Sequence, residues 1–560
     1  MSTFAQVLSD HERQHPDRVA LTLQHSGQPD RPLTYRQLLQ GAAACAAQLE
    51  EAGIRPGEVV VLILQHGIDL VYAYFGAILH GAIPSVMPFL TEKLLPERYR
   101  AELASLVSIT QPAAICTYGE FADEVRAALR PDDSVRAVLL PERAGPGRAP
   151  DYARLGGLQR APEDIVLLQH SSGTTGLQKG VALSHQAVFN QLAHYSQALH
   201  LDENDVIVSW LPLYHDMGLI AGFLMPLLRG VPLVLMSPFD WVRAPYRLLQ
   251  AVSQYRGTLS WMPNFAFNFC AQKIRDRHLE GVDLSSWRAV INCSEPVRHA
   301  SHVAFLERFR PYGLRPGALA TCYAMAENVF AVTQGGIEAP LQVDEIDREA
   351  FQVERQARPA APGRPALNML SNGRPVSGVA VRVLDPQGDD LPDRRVGEIA
   401  IRSDCMLSEY YHRPDVTAGS FRDGWFLTGD FGYRAEGELY VSGRKKDLII
   451  VGGKNVYPQD LEELAMLTPG VHPGRVSAFG VFDEAAGTED VVIVAEVDSP
   501  DAGEREQIVA GIRQNVTRGS AVALRQVYLV GPHWLVKTSS GKNARLANRD
   551  KYLAETLGGE

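Results

Sequence analysis

The hydrophobic pattern alternates between helical and strand periods through the first half of this chain. A helical pattern over Tyr35–Ala52 precedes a short apolar run at Glu58–Leu64, and the pair recurs at Ile68–His80 and Ala82–Val86. Strands that are separated by helices predict parallel sheets with helices on their faces. Further strands of this kind are predicted at Ala137–Leu140, Asp205–Trp210 and Trp287–Asn292. We therefore expect an α/β fold for this part of the chain.

The longest apolar stretch, Leu219–Met236, is interrupted by two prolines, an arginine and a glycine. These interruptions exclude a membrane span, which needs about 20 predominantly apolar residues in a row. The pattern instead predicts a buried helix, a turn at Arg229 and Gly230, and then a core strand.

The second half of the chain changes character. From Val379 to Tyr440 short alternating strands and glycine turns predict a β-rich region. Beyond Gly443 a smaller unit follows, with an apolar strand at Val491–Val497 and a helix at Arg505–Asn515. Its length of roughly 115 residues is typical of one domain. We predict a large N-terminal domain, 1–443, and a small C-terminal domain, 444–560.

Composition limits the classes of function. A chain of 560 residues is too long for one ordinary core, and its net charge of −11 gives no general attraction to nucleic acid or anionic membrane. Its six cysteines are scattered and form no C-x-x-C pair, which indicates neither zinc nor a disulfide framework. The stretch Met1–Asp10 has no basic region followed by an apolar core. These features predict a cytoplasmic protein.

Residues 171–180 combine glycines, small hydroxyls and a lysine between two apolar runs, Ile165–Leu168 and Val181–His185. Glycines permit close backbone approach to a ligand, and hydroxyl and ammonium groups donate hydrogen bonds to an anion. The order differs from that of a P-loop, because Lys179 is followed by Gly180. We predict a loop that binds phosphate oxygens, with a flexible linker as the alternative. The candidate residues are Ser171, Ser172, Gly173, Thr174, Thr175, Gly176 and Lys179.

This loop resembles the signature of the adenylate-forming (ANL) superfamily, in its acyl-CoA synthetase and fatty acyl-AMP ligase branch. Five further segments resemble family motifs and occur in the family's order: Leu213–Gly218, Tyr323–Glu327, Gly424–Asp430, Gly443–Asp447 and Thr538–Lys542. The resemblance covers nearly the whole chain. It implies a large domain of parallel and mixed sheets with a β-rich subdomain, followed by a small, mobile α+β domain.

The resemblance also implies a nucleotide site for ATP and Mg²⁺. Lys179 and the loop would hold the β- and γ-phosphates, Glu327 would bind Mg²⁺, and Asp430 would accept both ribose hydroxyls. For Glu327 the alternative is a structural carboxylate at a helix start, and for Tyr323 it is ordinary core packing. The loop Asn292–Pro296 would pack against adenine, Tyr323 would stack on it, and Arg444 would reach the ribose or the phosphate. The implied nucleotide contacts are Ser294, Glu295, Pro296, Tyr323, Ala324, Met325, Asp430 and Arg444.

Three catalytic residues follow from the same resemblance, namely Lys542, Glu327 and His215. Lys542 would swing over the reacting carboxylate and α-phosphate, as a compact charge on a flexible stem. His215 would lie at the mouth of the acyl pocket; it is a poor metal ligand because no third ligand is spaced to complete a site. Lys446 would be the hinge of the small domain. A surface lysine is the alternative for Lys542, and a charged linker is the alternative for Lys446.

The acyl pocket departs from the family. Trp261 and Met262 stand where glycines are expected in fatty acyl-AMP ligases, and Ala324 stands where glycine is usual. Trp and Met fill space that a glycine pair leaves open, so the pocket is rerouted or the acid is bulky. The predicted substrate residues are Trp261, Asn264 and Phe265.

The segment Gln334–Pro375 indicates the branch. Glu327 and Gly373 are 46 positions apart, about twenty more than a typical acyl-CoA synthetase needs, and fatty acyl-AMP ligases carry an insertion here. A neutral surface loop is the alternative. The glycines of Val451–Asn455 could approach a pantetheine arm, so coenzyme A stays a possible acceptor.

The resemblance therefore predicts a ligase that uses ATP and Mg²⁺ to convert an apolar carboxylic acid, fatty or a bulky natural product, to an acyl-adenylate with release of pyrophosphate. The acyl group then passes to a thiol, on an acyl carrier protein or on coenzyme A, with the carrier protein preferred. The alternatives are a full acyl-CoA synthetase, a catalytically silent ligand-binding homologue and a luciferase-like oxidative activity. No nucleic acid partner is expected, and the sequence leaves the oligomeric state open.

Overall fold

The structure is a computed structural model that describes residues 2–89, 96–145, 147, 149–171, 179–337, 339–451, 454–484, 488–520, 522–538 and 541–557. Five of the predicted phosphate-loop residues, Ser172, Gly173, Thr174, Thr175 and Gly176, lie outside these ranges. The chain divides into two units. The first comprises 1–342, 372–380 and 401–426, and the second 343–371, 381–400 and 427–560. The predicted domain boundary at 443 and 444 lies within the second unit and stays a prediction.

A nine-stranded sheet dominates the described part of the first unit. Its central strands are parallel and its edges antiparallel. In order across the sheet, the strands are Arg374–Pro375, Ala331–Gly335, Leu319–Ala324, Ala289–Asn292, Leu259–Met262, Ile207–Ser209, Leu233–Met236, Val19–Gln24 and Arg31–Thr34. Each residue of Leu259–Met262 and Ala289–Asn292 is buried, as expected for parallel strands covered on both faces. The predicted parallel sheet is confirmed.

A second, seven-stranded sheet lies in the same unit. Val59–Ile63 pairs in parallel with both Ile83–Val86 and Ala114–Thr117, and Ile165–Ser171 pairs antiparallel with Lys179–Ser184. In order across the sheet, the strands are Glu409–Tyr410, Lys179–Ser184, Ile165–Ser171, Ile83–Val86, Val59–Ile63, Ala114–Thr117 and Ala137–Leu139. The predicted phosphate loop therefore connects two adjacent antiparallel strands.

Helices accompany these strands, and the helical patterns predicted at 35–52 and 68–80 are confirmed as Tyr35–Glu51 and Ile68–His80. The helices of the first unit are Phe4–Gln14, Tyr35–Glu51, Ile68–His80, Pro96–Thr110, Ala122–Ala128, His185–Ala198, Met217–Leu224, Met225–Arg229, Pro238–Arg243, Tyr246–Tyr255, Asn264–Lys273, His299–Phe309 and Pro414–Gly419. Within the apolar stretch 219–236, Gly230 adopts φ of 72° and ends the helix before the strand Leu233–Met236 begins. The predicted helix, turn and strand are confirmed. Of the helices in the described ranges, none has the length and apolar character to cross a membrane.

The segment 334–375 is ordered where it belongs to the second unit. Val343–Asp347 pairs antiparallel with Ala366–Leu370, and the helix Arg348–Glu354 lies between them in sequence. Ile346 and Phe351 are buried in a cluster that also contains the aromatic side chains of Phe431, Tyr433 and Tyr457. A neutral surface loop does not describe these residues.

The β-rich region predicted from Val379 to Tyr440 is confirmed. Its strands are Val379–Leu384, Gly397–Ser403, Glu409–Tyr410, Phe421–Arg422, Trp425–Ala435 and Glu438–Arg444.

The C-terminal part of the second unit has a three-stranded sheet and a core of its own. The strands, in order, are Val471–Asp483, Thr488–Val497 and Leu524–Val530, after a short hairpin of Ile449–Val451 and Lys454–Val456. The helices are Pro458–Met466, Ala502–Ser520 and Arg545–Leu557. The predicted strand 491–497 and helix 505–515 are confirmed; the strand begins earlier, at Thr488, and the helix extends beyond both predicted ends.

Candidate active site

Four neighbouring parallel strands of the nine-stranded sheet end at one edge. Met262 and Asn292 are paired and each ends its strand, while Asn292 is also paired with Thr321, from which the next strand continues to Ala324. Ligands of open α/β sheets bind outside the carboxyl ends of the strands. The predicted site residues of the first unit that occur within these strands or in the segments that follow them are His215, Trp261, Asn264, Phe265, Ser294, Glu295, Pro296, Tyr323, Ala324, Met325 and Glu327. The fold therefore brings residues from four separate segments to one edge.

Asn264 joins two of the loops at this edge. Its Oδ1 accepts hydrogen bonds from Asn292 Nδ2 at 2.9 Å and from the backbone N–H of Arg298 at 3.1 Å. Its Nδ2 donates to Ser301 Oγ at 3.1 Å. The side chain thus holds the loop after Asn292 against the start of the helix Asn264–Lys273. Its predicted role as a substrate contact stays a prediction, and the structure adds this positioning role.

The loop Asn292–Pro296, which is predicted to pack against adenine, is hydrogen-bonded to the start of the helix Asn264–Lys273. Glu295 accepts a hydrogen bond from the backbone N–H of Phe265, with 2.9 Å between N and Oε2. Ser294 has φ of 69°, a value uncommon for a residue with a side chain. Pro296 is exposed. Such local strain is frequent at functional sites.

Glu327 is tied to a short strand that sequence reasoning missed. The hydroxyl of Tyr410 donates to Glu327 Oε1 at 2.8 Å, and the backbone N–H of Leu407 donates to the carbonyl of Glu327 at 2.8 Å. Tyr410 is paired with Val181 on the strand that begins at Lys179. The Lys179 ammonium lies 4.7 Å from the centroid of the Tyr410 ring. Tyr410 therefore contacts both the predicted metal carboxylate and the predicted phosphate lysine.

The backbone after Glu327 is strained. Val329 has φ of 61°, which is an outlier for a β-branched residue. The neighbouring Asn328 is buried and donates through Nδ2 to the carbonyl of Ala331 at 2.8 Å, while its Oδ1 accepts from Ser403 Oγ. These bonds hold the turn that carries Glu327, and no sequence pattern predicted them.

His215 is oriented by its neighbour. Its Nδ1 lies 2.6 Å from Asp216 Oδ1, which also accepts from the backbone N–H of Met217 at 2.7 Å. The π-helix Met217–Leu224 begins directly afterwards, and π-helical turns are frequent at functional sites. Among the described residues, His215 and Asp216 belong to no group of three potential metal ligands.

Trp261 is enclosed. It is 1% exposed, and its indole N–H donates to the hydroxyl of Tyr195 at 2.8 Å. Phe265 is different, since it is 44% exposed and meets the edges of the stacked indoles of Trp210 and Trp241, whose centroids are 3.5 Å apart. Their roles as substrate residues stay predictions.

In the second unit, two of the predicted nucleotide contacts, Asp430 and Arg444, face each other. Asp430 is paired with Arg444 across antiparallel strands, and Arg444 Nε lies 3.5 Å from Asp430 Oδ1. The backbone N–H of Asp430 donates to Thr428 Oγ1 at 3.1 Å, and Thr428 Oγ1 donates to the carbonyl of Ile399 at 2.7 Å. The carboxylate is thus held in one place beside a guanidinium.

The predicted hinge, Lys446, is exposed in the 3-10 turn Lys445–Asp447. The end of this turn is anchored, because Arg545 Nη1 lies 2.7 Å from Asp447 Oδ2 and its Nη2 lies 2.7 Å from Glu462 Oε2. Desolvation would lower the pKa of Arg545, but the neighbouring carboxylates of Glu462 and Asp447 outweigh it and raise that pKa. Sequence reasoning missed this cluster.

Lys542 lies in a tight turn before the last helix. Its backbone N–H donates to Thr538 Oγ1 at 3.1 Å and its carbonyl accepts from the backbone N–H of Thr538 at 2.8 Å. Gly541 has φ of 81°, which explains the glycine before the lysine. The serines at 539 and 540 lie outside the described ranges.

Comparison with known proteins gives a consistent result. A sequence profile of the family described as AMP-binding enzyme matches residues 8–411. The chain is similar to a putative acyl-CoA synthetase of Caulobacter vibrioides, with 32% identity over 94% of this chain and 91% of that protein. It is also similar to the medium-chain-fatty-acid–[acyl-carrier-protein] ligase JamA of Moorena producens, with 29% identity over 99% and 96%.

A solved structure agrees over the whole length. It comes from structural and functional studies of fatty acyl-adenylate ligases of E. coli and L. pneumophila, and it matches with a TM-score of 0.91 and 28% identity. The match covers 100% of this chain and 99% of that one.

Proposed function

The chain belongs to the AMP-binding enzyme family and is a ligase of the adenylate-forming kind, and from this premise we propose its substrates and site. The enzyme activates an apolar carboxylic acid with ATP. A carboxylate oxygen bonds to the α-phosphorus, the bond to the β-phosphate oxygen breaks, and pyrophosphate leaves. The observation that carries this proposal is the meeting of the adenine loop, the Glu327 turn and the Trp261 strand at one sheet edge.

The phosphates need positive charge, because two anions approach each other in this step. Lys179 stands at the start of its strand, beside the predicted phosphate loop, and would hold the β- and γ-phosphates. Glu327 is half-buried at the sheet edge, and a single carboxylate with phosphate oxygens and waters suits Mg²⁺. When bound, Mg²⁺ would neutralise phosphate charge.

Asp430 would accept the two ribose hydroxyls, since a carboxylate has the two oxygens that a vicinal diol requires. Arg444, whose Nε lies 3.5 Å from Asp430 Oδ1, would help to orient that carboxylate. Tyr323, which is 8% exposed at the end of its strand, would stack on adenine.

Lys542 would supply charge from a separate domain. In the domain division that we propose, 1–443 binds ATP and the acid, whereas 444–560 brings Lys542 to the reacting carboxylate and turns about Lys446. The glycine-containing turn around Lys542 supports this role, because it presents a flexible lysine at a defined point.

The second step transfers the acyl group to a thiol: the thiol sulfur bonds to the acyl carbon, the bond between that carbon and the phosphate oxygen breaks, AMP leaves, and the thiol proton is released to solvent. We propose the phosphopantetheine of an acyl carrier protein as acceptor, with coenzyme A as the second candidate. The name of the Moorena relative supports the first, and that of the Caulobacter relative supports the second.

All six cysteines are free and buried, which supports a reducing, cytoplasmic setting.

The proposal is tested in two stages. First, ATP–pyrophosphate exchange is measured across a panel of straight-chain, branched and polycyclic acids. Next, the best acid is offered with coenzyme A and with a phosphopantetheinylated carrier protein, and intact mass identifies the acylated acceptor. Acylation of the carrier alone would support the acyl-AMP ligase, and acylation of coenzyme A would support the synthetase. Binding of ATP without exchange for any acid would favour the silent homologue, although Lys542, Glu327 and Asp430 are all present.

A further inference from the structure

The short strand Glu409–Tyr410 joins two segments that are distant in sequence. Its residues pair with Val181 and Ala182, on the strand that starts at Lys179. The backbone on both sides continues this pairing, since Ser408 N–H donates to the carbonyl of Ala182 at 2.9 Å and Tyr411 N–H donates to that of Gly180 at 2.8 Å. The position of Tyr410 relative to Lys179 is therefore fixed by a sheet, not by a loop.

The hydroxyl and the aromatic ring of Tyr410 make separate contacts. Its hydroxyl donates to Glu327 Oε1 at 2.8 Å, and its ring face lies 4.7 Å from the Lys179 ammonium. The whole residue is 4% exposed, so water competes little for either contact.

We propose that Tyr410 is a positioning residue that fixes the Glu327 carboxylate for Mg²⁺ and sets its distance from the phosphate-binding Lys179. The inference rests on the proposed function, because it takes Mg²⁺ as the ligand of Glu327. Groups that hydrogen-bond to a metal-binding carboxylate orient it, and their loss costs about 10- to 100-fold in metal affinity or activity. A cation over an aromatic face adds a further attraction at the lysine.

The test removes only the hydroxyl. In Tyr410→Phe the ring stays, so the contact with Lys179 and the strand pairing are kept. Tyr411→Phe is the matched control, because Tyr411 is the next residue, half-exposed, and stacks on His412 instead. We expect Tyr410→Phe to raise the Mg²⁺ concentration for half-maximal ATP–pyrophosphate exchange about tenfold, and Tyr411→Phe to leave it unchanged.

A binding measurement separates this role from a loss of structure. Calorimetric titration with ATP, without any acid, should give the wild-type affinity for Tyr410→Phe when Mg²⁺ is absent. With Mg²⁺ at a concentration that saturates the wild type, the affinity of this variant should be lower. A fall of equal size in both conditions, or a Mg²⁺ dependence like that of Tyr411→Phe, would overturn the inference.

A third variant, Glu327→Gln, distinguishes this inference from the proposed function. The double variant combines Tyr410→Phe with Glu327→Gln. If Tyr410 acts through Glu327, this double variant should have the same Mg²⁺ requirement as Glu327→Gln alone, since the two effects are then not additive. If Glu327→Gln leaves the Mg²⁺ requirement unchanged, the assignment of the metal to Glu327 is wrong. If Glu327→Gln changes it and the effect of Tyr410→Phe simply adds, only the inference about Tyr410 is wrong.

Discussion

The indole N–H of Trp261 donates to the hydroxyl of Tyr195, which in turn donates to Gln334 Oε1 at 2.9 Å. Trp261 lies in a central strand of the nine-stranded sheet, Tyr195 on the helix His185–Ala198, and Gln334 on an antiparallel strand of the same sheet. Tyr195 and Trp261 are fully buried, so this chain of hydrogen bonds fills the space between the helix and the sheet. Glycine at position 261 would remove both the bulk and the donor.

The first prediction concerns the acyl pocket. Trp261→Gly should shift the preference of the enzyme toward longer or wider acids, because it opens space next to the sheet edge. It should also lower the free energy of unfolding by about 3–5 kcal/mol, the usual cost of truncating a buried large side chain. An exchange assay across the acid panel, beside a denaturation curve, measures both effects.

Trp287→Gly is the control for this prediction. Trp287 is also fully buried, packs on Phe305, and lies outside the predicted pocket. It should cost similar stability and reduce exchange with all acids alike. An unchanged ranking of acids in Trp261→Gly would make Trp261 an ordinary core residue.

Helices and strands with a strong local sequence pattern could be predicted from the sequence alone. The helix Ile68–His80 matches its predicted bounds because glycine stands at each end, and Gly81 takes φ of 91°. The parallel strands were predictable from short, wholly apolar runs between helices. The order of the site loops followed from the motifs, and the fold brings those of the first unit to one sheet edge.

Contacts between distant segments were not predictable in the same way. Tyr410 and Glu327 are 83 positions apart, and tertiary contacts between their segments bring them together. Asn264 is of a residue type that is common at helix starts. Nothing in the sequence indicates that its side-chain amide holds a neighbouring loop. The strain at Val329 likewise depends on tertiary hydrogen bonds, because valine disfavours that conformation.

The second prediction concerns Lys542. Lys542→Ala should reduce acyl-adenylate formation by roughly two or more orders of magnitude, because it removes positive charge from the transition state. ATP affinity should stay close to wild type, since the nucleotide is held by other residues. Single-turnover formation of acyl-AMP and ATP titration measure these quantities, with the exposed Lys273 changed to alanine as control. Near-normal adenylation would refute the catalytic role.

The third prediction concerns ribose. Wild-type enzyme should use 2′-deoxy-ATP poorly, and Asp430→Ala should lower kcat/KM for ATP by about 10- to 100-fold, the value of hydrogen bonds to a charged group. The variant should no longer distinguish the two nucleotides. A retained preference for ATP over the deoxynucleotide would show that another residue contacts the 2′-hydroxyl.

The fourth prediction concerns the anchor of the predicted hinge. Arg545→Met should destabilise the C-terminal part by about 3–5 kcal/mol, because it leaves Asp447 and Glu462 as buried carboxylates without their cation. Arg549→Met is the matched control, since its pair with Asp550 is exposed and should contribute less than about 1 kcal/mol. Chemical denaturation that is monitored by limited proteolysis measures the difference in stability between the two variants. Equal stability of the two variants would contradict this account of the anchor.

The fifth prediction concerns the stability of the protein at acidic pH. Burial lowers the pKa of His302 to about 3, and its Nε2 is 3.0 Å from Asn292 Nδ2 at the adenine loop. An unfolded histidine binds a proton below pH 6.5, whereas folded His302 stays neutral, so His302 costs stability as pH falls below 6.5. The slope is about 1.4 kcal/mol per pH unit until pH approaches the folded pKa.

His302→Gln should therefore have a flatter dependence of the unfolding free energy on pH than the wild type between pH 6 and 4.5. The exposed His15, changed to Gln, should leave the slope as it is in the wild type. Denaturant titrations at several pH values give these slopes. Parallel curves for wild type and His302→Gln would mean that His302 takes up a proton in the folded protein.

The central claim is that this enzyme forms an acyl-adenylate from a carboxylic acid and ATP. The most direct measurement is exchange of labelled pyrophosphate into ATP in the presence of Mg²⁺, with and without each acid of the panel. The account predicts exchange only when a matching acid is present, loss of that exchange in Lys542→Ala, and an acyl-AMP of the expected mass. Folded enzyme that binds ATP but shows no acid-dependent exchange with any acid, or exchange that is equal without acid, would contradict it.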